Sequence, residues 1–509
     1  MLPVNQSSLT PQLVLVPPAA EPQCRVWLHG RGVALLVALV VTLSGCPDAP
    51  APTANDGVPA ATIDMSGIRV LVADDPPLAA AIRRQWSGRL DVEINIQEIS
   101  SSALLDDTDW RPTTDVIIYP ASLLGELAAR DWIARVPHEV VESEQLSFQE
   151  ILSLTRLREI RWGDQIYALP FGSPQLTLFF RADLFDQAGR TPPLTWEEYE
   201  ETAQFFSHES NLSGPDVRIA QPWFGCAEPL ADGWASQLLL ARAAAYAQHP
   251  SNFSTLFHFR TMDPLIDGPP FVAALEQLVN AASLGPPNAK QLSPQKAIDL
   301  VLSGNAAMAV GWPYRPPAGA TDDRHSSSGV GITALPGSDR MYHIGQRQWQ
   351  PRTEQEPEEV PLLGVAGRVG SVTTSSRRRT AAFRVLVWLT GTELSAEIAP
   401  LSGATAPFRV SHLKQAARWT PDGEATSLDV DYGRLLEQRQ RTHAWVHSPR
   451  IPARREYLDA LDQAVYQALT GEGTAAEALT RCAENWQSIT DAVGREQQLR
   501  AYRQSLGLK

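Results

Sequence analysis

The chain of 509 residues is long enough for two or three domains, and its hydrophobic fraction of 43 % and charged fraction of 20 % are those of an ordinary soluble globular protein. Its formal net charge is −14. Because proteins bind the phosphate backbone of nucleic acids through clustered Lys and Arg, this charge argues against a nucleic-acid partner.

The first predicted element is an export signal. Two arginines precede an apolar run over residues 32–43, GVALLVALVVTL, which is shorter than the membrane-spanning helix of ~20 residues. The next residues complete Leu-Ser-Gly-Cys at 43–46, which resembles the lipobox of bacterial lipoproteins. This resemblance implies cleavage before Cys46 and attachment of a lipid to it. An ordinary cleaved signal and an anchor helix are the alternatives. We therefore predict a leader and lipoprotein signal peptide over residues 1–45.

Residues 46–67 predict a flexible tether, because they are rich in Pro and Ala and contain few large apolar side chains. The remaining cysteines of the mature chain are Cys226 and Cys482. Their wide separation in sequence neither establishes nor excludes a disulfide.

The ordered chain begins as alternating strands and helices. We predict strands at Ile68–Ala73, Val92–Ile99 and Val116–Tyr119, with a helix ending at Gly88 between the first two. Strands that alternate with helices in this way favour an α/β fold with a mostly parallel sheet covered on both faces.

Polar residues follow two of these strands. Asp74 and Asp75 come after the first strand, and Ser122 follows the third. Ligands of parallel sheets bind beyond the carboxyl ends of the strands. These residues are therefore candidate ligand contacts, although Asp and Ser are also common in turns.

A break at residues 171–174, Phe-Gly-Ser-Pro, separates two apolar runs. Strands interrupted by Gly and Pro do not form one continuous central strand. A loop with an aromatic ring and a hydroxyl group suits the wall of a pocket, so Phe171 and Ser173 are candidate ligand contacts. Packing of Phe171 as plain core is the alternative.

Aromatic residues near strand ends are the other candidates. Trp312 and Tyr314 follow the buried run AAMAVG, Trp223 follows a short strand, and Trp234 opens an apolar helix. The C–H face of a sugar ring stacks on an indole, while its hydroxyl groups need fixed polar partners.

Thr195 is followed by an acidic first turn, which predicts a helix N-cap at Thr195. We therefore expect Trp196, in this helix, to be structural and not a ligand contact.

Catalytic motifs and metal-ligand spacings are missing from the sequence, which has neither a Gly-x-Ser-x-Gly elbow nor a His-Glu-x-x-His helix nor a phosphate-binding loop. We therefore expect a protein that is not an enzyme and has neither a cofactor nor a metal. A carboxylate pair of the glycosidase type is not excluded by sequence.

Several segments resemble one family in their order along the chain. They are GDQIYALPFGSPQLTLFFRADLFDQAG at 163–189, LTWEE at 194–198, IDLVLSGNAAMAVGWPYRP at 298–316 and VGITALPG at 330–337. This series resembles the bacterial extracellular solute-binding proteins of ABC transporters, in the group that takes up sugars and oligosaccharides. The resemblance implies a two-lobed type II periplasmic-binding-protein fold with an interlobe cleft and hinge crossings.

The resemblance also implies the boundaries of the lobes. One lobe is expected to comprise residues 68–170 and 365–406, and the other residues 171–364 and 407–509. The chain departs from the family at Val365–Arg368, where a further aromatic residue is often found. Arg368 is expected to pair with an acidic side chain of its own lobe or, alternatively, with an acidic ligand.

The function implied is capture of a carbohydrate by lobe closure and delivery to ABC permease subunits. The protein would be an exported monomer, attached to the membrane by its lipid and facing the periplasm or the outside. A binding protein that feeds a sensor or surface complex and a lipid-anchored carbohydrate-active enzyme are the alternatives.

We predict that Cys46→Ser abolishes lipid attachment and leaves the protein soluble or uncleaved. The measurement is incorporation of labelled palmitate in the native host. Cys24→Ser, which alters the cysteine ahead of the apolar run, is the matched control and should be labelled normally. Label in the Cys46→Ser protein would show that the lipobox interpretation is wrong.

Overall fold

The computed structural model of the chain describes residues 67–87, 93–106, 109–212, 219–316, 329–353, 359–421 and 427–508. The predicted signal peptide, Cys46 and the tether up to residue 66 lie outside the described residues, as do Gly88 and Val92. Among the residues within these ranges, no helix is both long and apolar enough to cross a membrane.

The strands are short, and most belong to two β-sheets. In chain order they are β1 (Ile68–Ala73), β2 (Ile94–Ile99), β3 (Val116–Pro120), β4 (Arg161–Trp162), β5 (Gln165–Ile166), β6 (Leu169–Gly172), β7 (Thr177–Arg181), β8 (Met308–Gly311), β9 (Val330–Thr333), β10 (Arg340–His343), β11 (Gln348–Pro351), β12 (Leu362–Leu363), β13 (Arg368–Val372) and β14 (Val446–His447).

The helices cover both sheets, and the longest follow one another at the end of the chain. In chain order they are α1 (Pro76–Trp86), α2 (Ser101–Asp106), α3 (Leu124–Ala129), α4 (His138–Val141), α5 (Ala182–Ala188), α6 (Trp196–Ser207), α7 (Ala235–Ala247), α8 (Pro269–Ser283), α9 (Pro294–Leu302), α10 (Arg379–Thr390), α11 (Thr392–Ile398), α12 (Val410–Leu413), α13 (Ser427–Arg439), α14 (Arg454–Thr470), α15 (Ala475–Val493) and α16 (Arg495–Ser505).

The larger sheet has the strand order β2-β1-β3-β13-β6. Strands β2, β1 and β3 are parallel, as the sequence predicts, and Val70 of β1 pairs with both Ile96 and Val116. Strand β13 is antiparallel to both of its neighbours. Strand β13 enters the sheet beside the carboxyl end of β3, where Ala121 N donates a hydrogen bond to Gly367 O (3.1 Å). Because it starts at that end, β13 runs in the direction opposite to β3.

The smaller sheet has the order β8-β7-β9, and both outer strands are antiparallel to β7. Strands β6 and β7, which flank the Phe-Gly-Ser-Pro break, belong to different sheets. The prediction that this segment is not one continuous strand is therefore confirmed, since residues 173–176 lead the chain from the larger sheet to the smaller one.

Two glycines permit a close approach of distant segments next to this break. Gly172 has φ +109°, and a Cβ atom on it would lie 2.1 Å from Ala406 O. Gly367 has φ +122°, and its Cβ would lie 2.2 Å from Ser173 Oγ. Because L side chains neither adopt these angles readily nor fit these gaps, glycine is required at both positions.

Local sequence signals are reproduced in the helices. Thr195 is the N-cap of α6 and accepts a hydrogen bond from Glu198 N (3.2 Å), as predicted. Trp196 is fully buried beneath the guanidinium group of Arg242, which lies 4.0 Å from the ring centroid.

Cys226 and Cys482 do not form a disulfide, because both are buried free cysteines.

Asp115, immediately before β3, ties three segments of the larger sheet together. Its buried carboxylate accepts hydrogen bonds from Arg69 N (3.0 Å), Ser376 Oγ (2.8 Å) and Arg378 Nη2 (2.8 Å). Burial by itself would raise the pKa of Asp115, but these hydrogen bonds and the charge of Arg378 outweigh burial and lower the pKa.

We expect Asp115→Asn to lower the free energy of unfolding at neutral pH by about 1.5–3 kcal/mol, because it removes a charged hydrogen-bond acceptor. The folded-state pKa lies below the unfolded value of about 4, so the carboxylate stabilises the fold above that pH. Its contribution is lost as the pH falls through the folded-state pKa. Urea unfolding of both proteins across this range should show their difference shrinking.

The exposed Asp186 of α5 provides the control for this prediction. Asp186→Asn should leave the free energy of unfolding within experimental error at neutral pH. A difference between wild type and Asp115→Asn that stays constant down to about pH 2 would contradict the linkage argument.

Candidate ligand-binding site

A cavity of about 900 Å³ lies beyond the carboxyl ends of β1 and β3. We call it the strand-end cavity. Asp74, after β1, lines the cavity together with Pro120 at the end of β3 and Ser122 just beyond it, and Val365 joins them from the segment before β13. Two parallel strands end at the same edge of the sheet, which is why loops about 50 residues apart meet here.

The first turn of α7 also lines the cavity, through Trp234 and Gln237. Asp462 of α14 fixes this turn, since its carboxylate accepts hydrogen bonds from Gly233 N and Ser236 N, both of 2.6 Å. Trp234 and Gln237 are three residues apart, so their side chains lie on the same side of the helix.

Trp234 is supported from behind by Trp312. The two ring centroids are 5.3 Å apart, and Trp312 is only 2 % exposed. The indole Nε1 of Trp312 donates a hydrogen bond to Gly403 O (3.0 Å). Trp312 therefore packs behind the half-buried ring of Trp234, which is the ring that lines the cavity.

Gln237 is a polar residue in a helix whose other side chains are mostly apolar. It is 2 % exposed, and neither its amide nitrogen nor its amide oxygen has a hydrogen-bond partner among the described residues. A buried amide without a partner is destabilising unless water or a ligand satisfies it. Gln237 lies in the wall of the strand-end cavity.

Charged groups of both signs line the strand-end cavity. Glu126 pairs with Arg130 at 2.5 Å, and burial raises the pKa of Glu126 although Arg130 opposes the shift. Burial lowers the pKa of Arg454 to about 10, against the attraction of Glu126 and Asp459. Arg454 Nε is buried and makes no hydrogen bond to any residue that the structure describes.

Asp75 is the N-cap of α1 and takes part in a buried cluster behind Asp74. One carboxylate oxygen accepts a hydrogen bond from Leu78 N (3.0 Å), and the other accepts one from Ser402 Oγ (2.6 Å) and lies 3.1 Å from Arg368 Nε. Arg368 thus pairs with an acidic side chain next to its own sheet, as expected. In this arrangement Asp74 lines the cavity and Asp75 supports it.

The structure brings together only part of the predicted set. Ser122 and Trp234 line the cavity, Trp312 lies directly behind Trp234, and Asp75 lies behind Asp74. The other candidates have different surroundings: Phe171 is fully buried beneath Gly370, Ser173 lies against Gly367, Tyr314 donates a hydrogen bond to Asp299 (2.8 Å), and Trp223 donates one to Phe206 O (2.7 Å).

Gln237 and Arg454 are cavity residues that sequence reasoning missed. The isolated Gln in the run ASQLLLARAAAYA, three residues after Trp234, is a signal that could have identified the first. No local signal identifies Arg454, because it reaches the cavity only through the packing of α14 against α7.

The lining of the strand-end cavity is chemically mixed. Within the described ranges, no cluster of His, Cys, Asp and Glu has the arrangement of a metal site. The cavity offers carboxylate acceptors, guanidinium donors and an amide that does both, beside an aromatic ring. Each hydroxyl group of a ligand both donates and accepts, so it needs such a mixed lining.

Comparison with known proteins identifies the family of the chain. Residues 72–394 match the model of the family of bacterial extracellular solute-binding proteins, and the chain belongs to this family. No curated protein sequence matches the chain.

Solved structures with the same fold include maltose-bound MalE3 of T. maritima, at 17 % identity and a TM-score of 0.59 over 83 % of this chain and 100 % of that chain. A solute-binding protein of Agrobacterium radiobacter K84 in complex with ribitol has 18 % identity and a TM-score of 0.60 over 84 % and 99 %. One of Agrobacterium vitis S4 with bound D-mannitol has 14 % identity and a TM-score of 0.59 over 84 % and 99 %. The predicted α/β fold of the type II periplasmic binding proteins is thereby confirmed.

We predict that Trp312→Ala lowers the free energy of unfolding by about 3–5 kcal/mol, since it empties the space behind Trp234. Chemical denaturation measures this loss. Trp312→Phe retains a ring but loses the hydrogen bond to Gly403, and its cost should be smaller. A Trp312→Ala protein of wild-type stability would contradict the packing role.

Proposed function

We propose that the protein is the binding component of an ABC importer and captures a sugar, polyol or oligosaccharide in the strand-end cavity. The observation on which this rests is that Trp234 and Gln237, on one side of α7, line the same cavity at the strand ends as Asp74 and Ser122. An aromatic surface with unpartnered polar groups beside it is the recognition chemistry of a carbohydrate.

The fold neighbours support this class of ligand. Three of them have maltose, ribitol and D-mannitol bound, respectively. The sequence identity of these proteins to this chain is low. In this proposal the choice of the individual solute therefore depends on cavity residues of this chain, such as Gln237 and Arg454.

Ligand capture occurs by lobe closure in this proposal. One lobe comprises residues 68–170 and 365–406, and the other residues 171–364 and 407–509. The close packing of Gly172 with Ala406 and of Gly367 with Ser173 supports a shared hinge at the crossings. A ligand that contacts both lobes only when they are closed shifts the population towards the closed form.

The protein acts at the outer side of a membrane and delivers its ligand to the permease subunits. Export is supported by the signal-like segment and by the extracellular character of the family. A lipid on Cys46 raises the effective concentration of the protein near the permease. The chain works as a monomer and performs no catalysis.

A thermal-shift screen of the mature chain without its lipid, against mono- and oligosaccharides and polyols, tests the function. A ligand present at 100 times its dissociation constant should stabilise the protein by ~2.7 kcal/mol. Amino acids, peptides and polyamines form the comparison set. Stabilisation by a member of the comparison set, and by no carbohydrate or polyol, would refute the proposed class of ligand.

We predict that substitutions on the cavity side of α7 weaken binding of the carbohydrate found by this screen. Trp234→Ala removes a stacking surface and should raise the dissociation constant about 5- to 150-fold. Gln237→Leu keeps the size of the side chain but removes its hydrogen bonds, and should raise the dissociation constant about 2- to 10-fold. Calorimetric titration measures both.

Matched variants outside the cavity are the controls. Trp223→Ala removes a buried indole that donates a hydrogen bond to Phe206 O, and Gln277→Leu removes the acceptor of the Tyr246 hydroxyl (2.8 Å). Both should lower stability and leave affinity unchanged. Equal losses of affinity in the cavity variants and their controls would mean that α7 acts only through stability.

A further inference from the structure

A second cavity, of about 280 Å³, has a lining of one charge sign. We call it the basic pocket and define it by Arg158, Arg161, Trp445, His447, Ser448 and Arg450. None of the described residues that line it is an Asp or a Glu, although the chain as a whole has a net charge of −14. It does not share lining residues with the strand-end cavity.

Arg158 lies in the pocket without an acidic partner among the described residues. Its guanidinium carbon lies 3.8 Å from the centroid of the Trp445 ring, and its side chain makes no salt bridge within the part of the chain that the structure describes. Burial, followed by the nearby charge of Arg161, lowers the pKa of Arg158. Stacking on an indole orients the planar donors of the guanidinium before any ligand arrives.

Arg161 and Arg450 add charge but use much of their donor capacity on backbone oxygens. Arg161 donates hydrogen bonds to Arg156 O (3.2 Å) and Asp164 O (3.1 Å). Arg450 is 3 % exposed and donates to Arg158 O (3.0 Å) and to two neighbouring carbonyls. These bonds fix the segment that bears Arg158 against the residues following β14.

Ser448 is an unsatisfied donor in the same wall. It is 1 % exposed, and its hydroxyl has no hydrogen-bond partner among the described residues. A buried hydroxyl group without a partner carries a desolvation penalty that a ligand or an ordered water removes.

His447 contributes a second such donor. Burial, with Arg450 and Arg158 nearby, keeps the pKa of His447 well below its usual value, so the imidazole is neutral. Its Nε2 faces Arg450 Nη1 at 3.5 Å, and since Arg only donates, Nε2 is the acceptor. The ring proton therefore resides on Nδ1, which is buried and unpartnered in the described structure.

We propose that the basic pocket binds a small oxyanion, held by the guanidinium of Arg158, the Ser448 hydroxyl and the ring N–H of His447. Its volume of about 280 Å³ admits a phosphate, sulfate or carboxylate group. The anion neutralises Arg158 and Arg161, whose charges repel each other, and accepts hydrogen bonds from donors that lack acceptors among the described residues. This site is independent of the carbohydrate-binding proposal.

The test is a titration of the full chain with inorganic phosphate at constant ionic strength, set with sodium chloride, with the thermal unfolding midpoint as the readout. A saturable rise of the midpoint is expected for the wild type. Arg158→Gln should weaken the apparent affinity roughly tenfold or more, because a charged donor is lost. Parallel titrations with sulfate and acetate distinguish tetrahedral oxyanions from carboxylates, and saturation by any of the three supports the site.

Arg156→Gln is the matched control, since Arg156 lies two residues earlier, does not line the pocket and donates a hydrogen bond to Gln149. It should titrate like the wild type. Ser448→Ala removes one oxygen atom and should weaken binding about 2- to 10-fold, which preserves the test if Arg158→Gln does not fold. Trp234→Ala, in the strand-end cavity, should retain the full response.

Three results would overturn the proposal. The first is a wild-type midpoint that responds to none of the oxyanions beyond its response to chloride. The second is an equal loss of affinity in Arg158→Gln and Arg156→Gln, which would indicate a general charge effect. The third is loss of the phosphate response in Trp234→Ala, which would locate the anion in the strand-end cavity.

Discussion

The close approach of three chain segments beside the larger sheet is the constraint on which the rest of the structure depends. Gly172 lies against the backbone of Ala406, and Gly367 lies against Ser173, at distances that exclude any side chain on either glycine. The chain leaves β6 for the smaller sheet here and re-enters beside the carboxyl end of β3. That point of re-entry makes β13 antiparallel and brings Val365 to the cavity.

A buried ion pair holds this edge of the sheet in place. Asp75 caps α1, meets Arg368 at the start of β13, and accepts a hydrogen bond from Ser402. Removing one partner of a buried pair leaves an uncompensated charge, so each of the three segments depends on the others. The rigid edge positions Asp74 and Ser122, while Asp462 positions Trp234 and Gln237.

The two cavities differ in the physical chemistry of their linings. The strand-end cavity has carboxylates and guanidinium groups together with an aromatic ring, and this mixture matches hydroxyl groups that donate and accept. The basic pocket has arginines without carboxylates, and its spare groups are donors. One chain with a large negative net charge therefore has two separate cavities, one with a lining of mixed charge and one with a basic lining.

The sequence by itself determined the features that depend on near neighbours. Strand β1 has the predicted bounds, and Thr195 caps α6, because both follow from the chemistry of a few consecutive residues. It also indicated Ser122 and Trp234 through their positions after a strand and at a helix start. The tertiary structure alone decided that Phe171 is core, that Asp75 pairs with Arg368 and that Arg454 lines the cavity. Those outcomes depend on contacts between segments hundreds of residues apart, which no local pattern specifies.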